Sequence, residues 1–210
     1  MDLNTAREAL RRLQEGNRRF VSGERSTDAV AEAIRRNQLA NGQEPFAIIL
    51  GCSDSRVPSE IVFDQGLGDL FVIRVAGNIV APTQIGSVEF AAEKFGTRLV
   101  VVMGHTCCGA VEATVDELSR PEGKQSLNLR TIVDRIRPSV SPLMNSPLRH
   151  DRPALLRAAV RANVQVSASH LRHGSEILEN LIRRDGLLVV GAEYSIETGE
   201  VDFFDGLPSP

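Results

Sequence analysis

Four short, almost uninterrupted apolar runs, FAIILG, LFVIRVAG, LVVVMGH and LLVVGAEY, dominate the chain from residue 45 onward, each bounded by glycine or polar residues. Runs of this length without polar alternation suit strands covered on both faces, as in a parallel sheet. Helical stretches lie between them. The clearest is TQIGSVEFAAEKFG, which puts Ile85, Val88, Ala92 and Phe95 on one side and stops at Gly96. Strand, helix, strand is the α/β rhythm. The closing GEVDFFDG alternates and follows a turn at Thr198 and Gly199, so it reads as an added edge strand. The expected fold is α/β: a mainly parallel four-stranded sheet with an antiparallel edge strand, flanked by helices.

Before the first run lies an N-terminal helical arm. Thr5 and Glu8 have the spacing of a capping box, Leu10, Leu13 and Phe20 form an apolar stripe, and Gly23 is a stop. A second helix is expected over 27–42, and the arm's apolar residues suggest packing against a second subunit. The segment 120–153 carries several prolines and reads as a helix followed by a looser excursion. A long helical stretch, 154–184, follows with a break at Gly174 and a new cap at Ser175. At 210 residues the chain suits one domain, with 1–44 as the arm and 45–210 as the α/β core. A net charge of −3 supplies no basic field for nucleic acid, and no run approaches the roughly 20 apolar residues of a membrane span. The N-terminus lacks a secretory core, so a cytoplasmic location is expected.

Three cysteines are too few and odd in number for a disulfide scaffold, which turns attention to metal or catalysis. Cys52 directly follows the strand FAIILG, and His105 to Cys108 directly follow LVVVMG. Ligands of an open parallel sheet bind in the crevice at the carboxyl ends of its strands, so these distant residues can meet there. Two thiolates and an imidazole match zinc, and three protein ligands leave one position for water or substrate. Such a donor set neutralises the metal, so activity should rise with pH. Asp54 and Arg56 alternate with Cys52 along the chain and can face the same way. The Arg fork would orient the carboxylate and keep it ionised, or Asp54 would itself be a fourth ligand in a closed state. Cys107 should point away from a metal that Cys108 binds. His150, His170 and His173 show no metal spacing and receive no role. Arg74, a charge within a strand run, reads first as a structural ion pair and second as an anion site.

The motifs CSDSR at 52–56 and GHTCCGA at 104–110 resemble the two signatures of the beta-class carbonic anhydrases, and the likeness runs through most of the chain. The resemblance implies reversible hydration of carbon dioxide to bicarbonate and a proton by zinc-bound hydroxide. One Zn2+ per subunit would be held by Cys52, His105 and Cys108, with Asp54 and Arg56 as the catalytic pair. It further implies a homodimer or homotetramer whose arm wraps a partner. Gln65, Arg74, Gly109 and Tyr194 are the implied substrate or anion contacts. Arg74 and Tyr194 look like two members of the family's bicarbonate regulatory pocket; its third, a tryptophan, is absent from this chain, and Ile49 stands near its place. The usual residue at 107 is not cysteine. Rival expectations are hydrolysis of carbon disulfide or carbonyl sulfide on the same scaffold, and a zinc-stabilised module without catalysis.

Overall fold

The computed structural model describes residues 3–24, 35–119 and 126–208. Its centre is a five-stranded sheet in the order β2-β1-β3-β4-β5, built from β1 (Ala47–Gly51), β2 (Leu70–Arg74), β3 (Leu99–His105), β4 (Leu188–Tyr194) and β5 (Val201–Asp205). The first four strands run parallel, and β5 pairs with β4 antiparallel. Every residue of β1 and β3 is buried, as their continuous apolar sequences require of central strands. In contrast, β2 lies at the edge and is only partly buried, and its last residue, Arg74, is exposed. The charge therefore sits at a strand end open to water rather than in a buried strand, and no buried ion pair is needed to offset it.

Helices cover both faces. On one side α1 (Leu3–Ser22) lays Ala9, Leu10 and Leu13 onto Ile49, Val101, Met103, Val190 and Tyr194. The arm's stripe is thus satisfied by its own core. This helix already runs at Leu3, so Thr5 is inside it rather than capping it. Gly16 allows the close approach, since a Cβ there would run into the carbonyl of Phe63. Asn17, buried, locks the contact by donating to the carbonyls of Val62 (3.1 Å) and Gly199 (2.8 Å) and accepting from the Val201 amide at 2.9 Å. Of the second arm helix expected over 27–42, residues 25–34 lie outside the described residues; 35–38 are helical and Leu39–Asn41 form a 3-10 turn.

On the opposite face, α2 (Pro82–Lys94), α5 (Arg152–His173) and α6 (Glu176–Arg184) bury Val88, Ala92, Val164, Ala168 and Leu178 against Ile48, Leu50, Val100 and Val102. The break between α5 and α6 falls where the sequence places it, with the Ser175 hydroxyl accepting from the Leu178 amide. Over 120–153 a helix is followed by a 3-10 turn at Pro147–His150, in keeping with the expected helix and looser excursion, and 120–125 lie outside the described residues. Between α3 (Gly109–Ser119) and α5 lies α4 (Leu127–Met144), which runs through Pro138 and Pro142. A helical proline removes one backbone donor and costs about 3 kcal/mol. Here burial of Val133, Ile136 and Val140 against neighbouring helices outweighs that cost.

Candidate metal centre and its surroundings

The strand order matters because the chain leaves β1 toward β2 on one side and β3 lies on the other. The carboxyl ends of β1 and β3 therefore flank a topological switch point, where side chains can converge without blocking one another. Cys52 emerges one residue past β1, His105 closes β3, and Cys108 immediately precedes α3. The two thiol sulfurs and an imidazole nitrogen lie within 4.8 Å of one another, and all three residues are buried. The wall behind them is apolar, including Ile79, Val111, Ile136 and Val160. Fixed charges act more strongly in such a setting than in water.

The imidazole is aimed by its backbone. His105 Nδ1 lies 2.9 Å from the Thr106 carbonyl, which can only accept, so the ring proton sits on Nδ1 and Nε2 offers a lone pair. That Nε2 is fully buried and has no hydrogen-bond partner among the described residues. A buried imidazole nitrogen left unpaired is costly, and coordination is a direct way to satisfy it. Thr106 is fixed in turn, its amide donating to the Tyr194 carbonyl at 3.0 Å and its hydroxyl accepting from the Ile196 amide at 3.0 Å.

The two thiols share a single proton. The Cys108 thiol donating to Cys52 holds Cys52 down at about 4, helped by His105 and the Gly77 and Asp54 amides against burial. The same contact, together with burial, pushes Cys108 far up. Burial works against a charge on His105, yet its contacts with Cys52 and the Thr106 carbonyl leave its pKa raised. One thiolate, one thiol and an imidazole lone pair form a donor set that fits zinc, with the metal replacing the shared proton.

Asp54 stands beside this trio without joining it. Arg56 grips its carboxylate with two side-chain bonds, Nε to Oδ1 at 2.9 Å and Nη2 to Oδ2 at 2.7 Å, and its backbone amide adds a third at 3.0 Å. The Arg56 guanidinium holds the Asp54 carboxyl well below the usual carboxylate range. Oδ2 is 3.9 Å from His105 Nε2. Arg56 also reaches the Cys107 carbonyl at 3.2 Å, and Cys107 itself takes a left-handed φ of 56° and is exposed while Cys108 turns inward. A cavity of about 540 Å³ opens beside Cys107 and Cys108, with Val111, Leu156, Val160 and Ile196 in its lining.

The remaining sequence candidates are placed differently. Arg74 bonds the carbonyls of Cys52 (3.1 Å) and Asp54 (2.6 Å), clamping the loop that carries both side chains. Gly109 is the exposed first residue of α3. Tyr194 is buried in the cluster beneath α1, and burial raises its pKa. Gln65 is engaged by Arg12 (3.0 Å) and by the Phe63 carbonyl (2.7 Å). Two residues that the sequence reading did not single out also act here. The Gly77 amide donates to Cys52 Sγ at 3.3 Å, and buried Asn163 donates to the Gly77 carbonyl at 2.7 Å. The available signal was a lone amide at a core-facing position of α5, between Val160 and Val164.

The sequence profile described as carbonic anhydrase matches residues 47–201, spanning β1 to β4, the first residue of β5 and all three cluster residues. The chain belongs to the beta-class carbonic anhydrase family. Carbonic anhydrase 2 of Mycobacterium tuberculosis is 37% identical over 194 residues, covering 91% of this chain and 89% of that protein. The carbonic anhydrase of Mycolicibacterium smegmatis is 35% identical, with 92% and 91% covered. Among solved structures, one of two tetrameric beta-carbonic anhydrases from Sordaria macrospora superposes with a TM-score of 0.73 at 25% identity, covering 84% of this chain and 88% of its own. The beta-carbonic anhydrase CcaA gives 0.72 at 27% identity, covering 95% and 92%. The fold and the enzyme class of this family member are those the sequence motifs imply.

Proposed function

We propose that the protein reversibly hydrates carbon dioxide to bicarbonate and a proton, with one zinc ion per subunit held by Cys52, His105 and Cys108. The observation that carries this reading is the unpaired, fully buried His105 Nε2 facing two thiol sulfurs that share one proton. When bound, zinc supplies Lewis acidity that makes water a usable nucleophile at near-neutral to alkaline pH. Asp54, with its carboxyl held so low, is a poor bulk base; its role is to accept a hydrogen bond from the attacking oxygen and orient it. Arg56 keeps that carboxylate ionised and engages both of its oxygens, which favours an open fourth position over a closed one. The cavity beside Cys108 is lined by Glu112, Arg152, Arg157, Glu193 and Glu197 as well as by Val111, Leu156, Val160 and Ile196, and its apolar part suits an uncharged substrate. A structural zinc module has no use for the Asp54–Arg56 pair. A homodimer or homotetramer is the proposed assembly, supported by the tetrameric relatives. A cytoplasmic location is supported by three free thiols, and no described helix is long and apolar enough to cross a membrane.

The test is stopped-flow hydration of carbon dioxide by zinc-loaded protein from near-neutral to alkaline pH. Activity is expected to rise with pH. Cys52→Ala should lose zinc and activity together, and Asp54→Asn should keep zinc while losing about a hundredfold in rate. Absence of hydration in protein carrying one zinc per chain rejects the reading.

A further inference from the structure

Asn163 is an odd residue for its place. It sits on α5 at 1% exposure, between the buried Val160 and Val164, on a face whose other buried side chains are aliphatic apart from the small Ser167. Its Nδ2 donates to the Gly77 carbonyl at 2.7 Å, while its Oδ1 has no partner among the described residues. The neighbouring Asn78 repeats the pattern, 2% exposed with Nδ2 unpartnered. A half-satisfied buried amide costs on the order of 1–3 kcal/mol, so a role in packing alone is a poor account of it.

What Asn163 grips explains the cost. Gly77 has φ 70°, and a Cβ there would crowd Ile136 Cδ1 and Ala110 Cβ, so the position requires glycine. Glycine is also the residue least able to hold its own conformation. Its amide donates to Cys52 Sγ and its carbonyl accepts from Asn163, so a bond on the carbonyl side restrains the direction of the N–H on the other. The chain of contacts runs unbroken from α5 through Gly77 to the sulfur.

We propose that Asn163 is a positioning residue for the metal centre: by pinning Gly77 it keeps the Gly77 amide on the Cys52 sulfur and thereby limits how strongly that sulfur donates to the metal. The proposal rests on the zinc reading above. An N–H directed at a ligating thiolate withdraws electron density from it, and such outer contacts tune a metal much as the ligands do. Losing the bond makes Cys52 the stronger donor.

The test uses cobalt added to chelator-stripped protein. Asn163→Leu, close in shape, is expected to bind one cobalt per chain, with its sulfur-to-cobalt charge-transfer band moved to longer wavelength than in the native protein. Val164→Ala, which thins the same core without touching the contact chain, should lower the melting temperature and leave the band in place. An unmoved band in cobalt-loaded Asn163→Leu, or an equal movement in Val164→Ala, overturns the proposal alone. Failure of the native protein to bind cobalt overturns the metal reading and this proposal with it. A second measurement needs no variant: in native protein loaded with a spin-half cadmium isotope, the Gly77 amide proton should show scalar coupling to the metal across the N–H···S bond. Absence of that coupling also overturns the proposal.

Discussion

Cys52 and Cys108 differ in charge although they are the same residue type a few ångströms apart, and the difference is measurable. Cys52 is held at about 4 by the thiol of Cys108, which is itself pushed up, while His105 is raised. Near neutral pH the metal-free site therefore carries one thiolate and one thiol, beside an imidazole whose contacts favour its charged form more than those of a free ring do. Zinc needs both thiolates and the neutral ring. Loading should release at least one proton per chain, from Cys108, together with any that His105 holds, read with an indicator dye in weak buffer. Release above two would mean that Cys52 keeps its proton before metal arrives. Because lower pH fills His105 further, release should grow and affinity should fall as the solution is acidified. At the same scale, Arg56→Lys replaces a two-pronged grip on Asp54 with a point charge, and about tenfold lower hydration is expected with zinc content unchanged.

Among the elements, α1 is held by one buried amide as well as by its apolar stripe. Asn17 links three backbone groups distant in sequence, at Val62, Gly199 and Val201. Asn17→Ala leaves them buried and unpaired, and urea unfolding at fixed protein concentration should show a loss of about 2–3 kcal/mol. Such links explain what the sequence could and could not tell. The strands were legible because β1 and β3 are apolar throughout, and the Ser175 cap because it is local. The three donors were legible because each stands at a strand end and carries metal-binding chemistry. Helix α4 was legible only in outline, because its run through Pro138 and Pro142 carries a local penalty while the offsetting burial is tertiary. Arg74 was misread for a similar reason: a strand's place at the edge depends on sheet order, which no local pattern encodes. Asn163 and Gly77 are 86 positions apart, and their contact exists only in the fold.

For the molecule as a whole, the three donors tie the end of β1 to the end of β3 and the start of α3, so metal should stabilise the entire sheet. At a free zinc concentration a hundredfold above its dissociation constant the gain is about 2.7 kcal/mol. For a chain of this size that corresponds to about 5–10 °C in melting temperature, which a chelator should remove in a thermal scan. The strand order carries one more consequence. Since β1 and β3 are neighbours although β2 lies between them in sequence, the donors cannot meet until the chain has closed a long loop and paired its two central strands. Metal capture during refolding is thus a clock: its onset marks the moment the middle of the sheet is made.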